Sequence, residues 1–203
     1  MRVTVLDVET PHGLARVHLH RPDEPKAALV LGHGAGGGVG SRDLLTARDV
    51  ALAEAFAVAL VEQPYRVAGR RSPSPAKTLD AAWTAVVEHL RAGELRGLPL
   101  VVGGRSLGAR VACRTAVATG AIGVLCLAFP LLPPRRSGAA ESRLPELDAV
   151  PIPTLVVQGE RDPFGVPPPG EQRAVTLVRG DHSLRGDLDA VATAIREWLT
   201  QVA

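Results

Sequence analysis

PLVVGGRSLGARVACRTAVATG, residues 99–120, reads as a buried strand, a tight turn and a helix, with Ser106 at the turn between Gly104 and Gly108. The apolar run before the two glycines suits a central strand buried on both faces, and Gly120 closes the helical stretch that follows Ser106. A G-x-S-x-G match means little in isolation. Between a strand and a helix it acquires a mechanical sense: a strained turn lifts the serine oxygen out of the sheet, and the helix N-terminus puts positive dipole beside a developing oxyanion. The plain alternative is Ser106 as an ordinary N-cap.

The same grammar extends in both directions. Residues 15–21 alternate like a strand, and residues 27–34 (AALVLGHG) form an apolar run stopped by glycine. A helical spacing over 43–57, a strand over 58–63, a loop over 64–75 with three prolines and a helix over 76–93 complete the first half. Beyond the serine, strands are expected at 122–129, 153–162 and 173–180, and an amphipathic helix at 188–203. Strands alternating with helices predict an α/β fold, a mostly parallel sheet with helices on both faces. With 203 residues, no internal repeat and no break in composition, one domain over residues 1–203 is expected.

Composition narrows the function. Lys and Arg number 23 against 21 Asp and Glu, a balance that points to no nucleic-acid partner, and the basic residues, all Arg except Lys26 and Lys77, are scattered. Six aromatic residues in all leave little for a stacking platform, so the core must be built from Ala, Val and Leu. Cys113 and Cys126 lie in apolar stretches and fit buried thiols in a reducing compartment. The N-terminal residues lack the long apolar run of a signal peptide, and no stretch suits a membrane span, so a cytoplasmic protein without a membrane partner is expected.

Two further residues fall at expected strand ends: Asp162 in GERDPFG and His182 in GDHSL. Open parallel sheets carry their chemistry at the carboxyl ends of strands, and Ser106, Asp162, His182 is the chain order of a sheet-borne hydrolytic triad. Taken singly, Asp162 before a proline is a turn former and His182 an exposed loop residue. The loop HGAGGG, residues 33–38, exposes backbone N–H groups but matches neither the P-loop nor the dinucleotide fingerprint. His33 reads as a structural histidine rather than a base. His12, His18 and His20 offer too few ligands for a metal site, and no cofactor is called for.

GHGAGGG, GGRSLGARVA, VVQGERDPFG and GDHSL together resemble the α/β-hydrolase superfamily, specifically its small dienelactone-hydrolase-like branch related to the testis-expressed protein family, from about Ala27 to the C-terminus. The resemblance implies Ser106 as nucleophile, His182 as base, Asp162 as the acid that orients it, and the backbone N–H groups of Leu107 and Ala35 as oxyanion donors. Dienelactone hydrolases proper use cysteine where this chain has Ser106, so their substrate is not transferred. In this superfamily a cap after the sixth strand often carries specificity. Residues 130–151 hold six prolines and glycines and allow a short lid at most, leaving the pocket open on one side.

The expected activity is that of a carboxylesterase-like serine hydrolase of small acyl substrates, working as a monomer or homodimer. A hydrolase-like fold serving as a protein-interaction module is the alternative. Arg42, Arg66 and Arg105 are the candidates for binding an acidic substrate, with Arg110 a helical turn beyond Ser106. Glu62, Asp43 or loop carbonyls compete for them as a hydrogen-bonding scaffold. Asp181 and Glu160 are the other carboxylates near enough in sequence to orient His182.

Overall fold

Alternation decides which side of the sheet each apolar residue reaches. Over residues 27–32, Ala28 and Val30 enter one buried cluster while Ala27, Leu29 and Leu31 enter the other. The structure, a computed structural model, describes residues 2–133 and 141–203. Its elements run β1 (Arg2–Thr10), β2 (Gly13–Arg21), β3 (Ala27–Gly32), α1 (Arg42–Ala53), β4 (Phe56–Glu62), α2 (Pro64–Val67), α3 (Ala76–Ala92), β5 (Leu100–Arg105), α4 (Leu107–Thr115), β6 (Gly123–Leu127), α5 (Leu144–Asp148), β7 (Thr154–Gly159), β8 (Arg173–Val178) and α6 (Leu188–Val202). The strands form one sheet in the order β1-β2-β4-β3-β5-β6-β7-β8. β1 and β2 are antiparallel to their neighbours, and the pairs from β4 to β8 are parallel.

Helices cover both faces, as the sequence predicts. On one side Leu44 and Val50 of α1 pack with Val191, Ile195 and Leu199 of α6. On the other, Leu79, Trp83 and Val86 of α3 meet Val111 of α4 and Leu147 of α5. Cys113 and Cys126 are free buried thiols 3.5 Å apart, and this contact, followed by burial, pushes Cys126 well above the usual thiol range. Among the described residues no helix is long and apolar enough to cross a membrane.

Three local readings need correction. Residues 2–10, given no element from sequence, form edge strand β1, which turns into β2 through Gly13 at φ 105°. The sequence pattern is weak there because Val3 and Val5 face solvent. The 64–75 loop contains a helical turn, α2, opened by Pro64, and the Pro-rich connector contains α5. Within that connector, the part of the expected short lid at 134–140 lies outside the described residues.

The glycines around the serine turn serve close approach of backbone. A Cβ on Gly108 would stand 2.3 Å from the Gly32 carbonyl oxygen, and one on Gly104 would stand 2.5 Å from the same atom. Strand β3, strand β5 and helix α4 meet there with no space for a methyl group. Gly108→Ala therefore adds an overlap costing about 3 kcal/mol. Alanine's helix propensity returns only about 1 kcal/mol. A net destabilisation of about 2 kcal/mol is expected, read as a lower urea midpoint at constant slope; an unchanged midpoint would contradict this packing.

Candidate active site

Ser106 directly follows β5, with φ 53° and ψ −107°, a conformation that non-glycine residues avoid. Its N–H continues the sheet ladder by donating to the Leu127 carbonyl at 2.9 Å, while its own carbonyl accepts from Arg110 N–H at 3.2 Å and opens α4. The side chain does not cap the helix. Instead Oγ lies 2.9 Å from Nε2 of His182. The plain N-cap reading of Ser106 is thereby set aside.

His182 follows β8, and its Nδ1 lies 2.7 Å from Oδ2 of Asp162, which follows β7. The two loops are held close: a Cβ on Gly159 would meet the Asp181 carbonyl oxygen at 2.3 Å. Asp162 is both turn former and partner to the histidine, using different oxygens. Oδ1 accepts the Phe164 N–H at 2.8 Å, and Oδ2 accepts from His182 and from Nε2 of Gln158 at 2.8 Å. Two neutral donors and the imidazole satisfy this buried carboxylate without any guanidinium or ammonium. The Phe164 ring meets the imidazole edge-on, with centroids 4.5 Å apart, and fixes its plane. Asp181 takes another role: its carboxyl, held below the usual range by hydrogen bonds from Ser183, shapes the loop. Glu160 is exposed and makes no side-chain hydrogen bond among the described residues.

The glycine loop is tied from beneath. His33 donates from Nδ1 to the Gly34 carbonyl at 2.8 Å and accepts the Gln63 N–H at Nε2 at 3.1 Å, so both ring nitrogens are committed. Burial holds its pKa below the usual histidine range, consistent with a neutral structural role. Tyr65 donates its hydroxyl to the Ala35 carbonyl at 3.0 Å. Ala35 lines the same cleft as Ser106 and Leu107, and Leu107 opens α4, where first-turn N–H groups have no intrahelical acceptor.

That cleft measures about 410 Å³. Ser106, His182, Leu107 and Phe164 line it, with Pro130 and Arg143 from the connector after β6. Of the three arginines expected there, only Arg105 lines it; Arg42 and Arg66 do not, and Arg110 and Arg143 do. Arg105 is already engaged, Nε forming an ion pair with the buried Asp43 at 2.7 Å and Nη2 donating to the His182 carbonyl at 3.0 Å. A Cβ on Gly34 would stand 2.8 Å from its Nη1, so Arg105 also underlies the glycine loop. Arg110 forks onto both oxygens of Glu146 at 2.8 and 2.6 Å.

Sequence reasoning did not single out Gln158, Tyr65, Phe164 or Arg143. Gln158 carried a signal, a lone polar side chain inside the apolar run of β7, four residues before Asp162. Among the described residues no group of three or more His, Cys, Asp or Glu is arranged to hold a metal.

No curated protein matches the sequence. Among solved structures the chain is similar to dienelactone hydrolase from Anabaena variabilis, at 18% identity and TM-score 0.79, over 99% of this chain and 98% of that one. It is also similar to XC6422 from Xanthomonas campestris, an a/b serine hydrolase without lid, at 17% identity and TM-score 0.77, over 99% and 95%. A third is Est1E from Butyrivibrio proteoclasticus, at 13% identity and TM-score 0.78, over 97% and 98%. At such identities the likeness speaks for the fold. A sequence profile described as the alpha/beta hydrolase domain matches residues 25–198, and the chain belongs to that family.

Proposed function

We propose that this protein is a carboxylesterase-like serine hydrolase of small acyl substrates, with Ser106 as nucleophile, His182 as general base and Asp162 as the orienting acid. The observation that carries this is the unbroken relay from Ser106 Oγ through His182 to Asp162, with separations of 2.9 and 2.7 Å, opening on a cleft of small-molecule size. A proton on Nδ1 directed at Asp162 leaves Nε2 unprotonated toward the serine. Ser106 Oγ then attacks the acyl carbonyl as Nε2 takes its proton, and the N–H groups of Leu107 and Ala35 receive the oxyanion. The imidazolium returns the proton to the leaving group. Water, activated by the same nitrogen, releases the acid and frees Ser106. The serine hydrolase and the dienelactone hydrolase among the structural neighbours agree with acyl transfer to water.

A fluorophosphonate should add one label to the folded protein, located at Ser106 by peptide mass spectrometry and lost in Ser106→Ala. A folded protein that takes no label and turns over no short-chain ester would point to the non-enzymatic interaction module.

Asp162→Asn separates orientation from folding. The amide presents a donor to Nδ1 or loses the Gln158 bond, so the imidazole takes the wrong tautomer. A fall in kcat on the order of 10⁴-fold is expected, the magnitude of the serine-protease precedent, with an unchanged circular dichroism spectrum. Near-normal kcat would remove Asp162 from the mechanism.

A further inference from the structure

Among the described residues three guanidinium groups line the cleft and no carboxylate does. Two of the three are cancelled from behind: Arg105 by Asp43, Arg110 by Glu146. Glu146 also takes Arg114 at 3.3 Å, and Asp80 holds the Arg114 fork at 2.8 and 2.6 Å. Two carboxylates therefore balance two guanidiniums in the Asp80–Arg114–Glu146–Arg110 chain. Glu146, already held by these two arginines, acts on Arg143 only from beyond ion-pair distance.

Arg143 stands just before α5, only partly exposed, with its backbone N–H on the Leu131 carbonyl at 2.8 Å and Nη1 on the Pro130 carbonyl at 3.1 Å. Among the described residues no carboxylate lies within ion-pair distance of it. Burial, followed by the charge of Arg110, lowers its pKa against the weaker pull of Glu146. Its guanidinium keeps donors beyond the one spent on Pro130, in a planar array that suits a carboxylate. Next to it the cleft wall is apolar, formed by Leu107, Phe164 and Pro130.

We infer that Arg143 is the specificity-determining residue of this cleft and that the preferred substrate carries a carboxylate on a short apolar acyl chain. This rests on the reading of Ser106 as nucleophile. The anion would occupy the charge that Asp43 and Glu146 leave uncancelled, with the acyl chain against Leu107 and Phe164 and the ester carbonyl at Ser106. The sequence-based candidates Arg42 and Arg66 drop out of this role because they do not line the cleft.

The test compares p-nitrophenyl hemiglutarate, which carries a carboxylate, with the neutral p-nitrophenyl valerate on wild type, Arg143→Gln and Arg143→Lys. In wild type kcat/KM should favour the hemiglutarate, and that preference should shrink as salt is raised. Arg143→Gln should lower the ratio of the two kcat/KM values by about 10- to 100-fold, chiefly through KM for the hemiglutarate, the effect of losing a charge-assisted hydrogen bond. Lysine should restore part of the ratio, since it keeps the charge and loses the fork. A purely structural role through Pro130 would lower both probes together and leave the ratio unchanged, which would overturn the inference. Turnover of the valerate without preference for the hemiglutarate would overturn it and leave the nucleophile reading intact. Absence of turnover for both probes, with no fluorophosphonate label on Ser106, would overturn both.

Discussion

The site depends on a meeting of backbones. The Gly32 carbonyl oxygen lies so close to Gly104 and Gly108 that neither position has room for a Cβ, which brings the ends of β3 and β5 and the start of α4 together around Ser106. The serine's left-handed backbone conformation costs on the order of 1–3 kcal/mol and persists because the strand behind it and the helix ahead of it are both fixed. On the strand side, the Leu127 carbonyl accepts the Ser106 N–H; on the helix side, Arg110 bonds back to the Ser106 carbonyl. The Oγ makes no capping bond to the helix and faces the imidazole.

A second constraint joins loops that the sheet alone would leave independent. Arg105 reaches Asp43 at the start of α1 and the His182 carbonyl after β8, and passes beneath Gly34. It therefore links the segments after β3, β5 and β8, the three that carry Ala35, Ser106 and His182. Asp43 is 1% exposed, and a pair this buried is costly to break because the surviving charge has no solvent to turn to. Arg105, one of the three arginines offered from sequence as substrate ligands, is in this arrangement a strut under the site, the scaffold role also weighed for it.

What was legible in the sequence follows from which forces are local. Short apolar runs marked β3 to β8, and Ser106, Asp162 and His182 stood out because each followed such a run. Strand β1 escaped notice because an edge strand buries one face only, and Val3 and Val5 lie on the other. Helix α5 is five residues long, too short for a helical period to show. The arginines were harder still. Whether a guanidinium lines the cleft or is spent on a carboxylate depends on partners distant in sequence, such as Glu146 for Arg110, 36 positions away. Gln158 was readable in principle, since a buried polar side chain inside a strand must have an acceptor in view, but naming that acceptor required the turn that brings Asp162 back against it.

The pairing of charges has a consequence for the proposed chemistry. An imidazolium forming at His182 would be disfavoured by any cation nearby, and Arg105 touches the backbone of that very residue. Asp43 removes the difficulty by cancelling Arg105, and Glu146 does the same for Arg110 at the cleft wall. Asp162, in contrast, receives neutral donors apart from the histidine, so its negative charge is not consumed by a fixed cation and remains available to the imidazolium. Arg143 is the cleft-lining guanidinium with no such cancellation among the described residues. A substrate carboxylate bound there would complete the balance before the proton moves, so that binding the anion and easing proton transfer to His182 would be two effects of the same neutralisation.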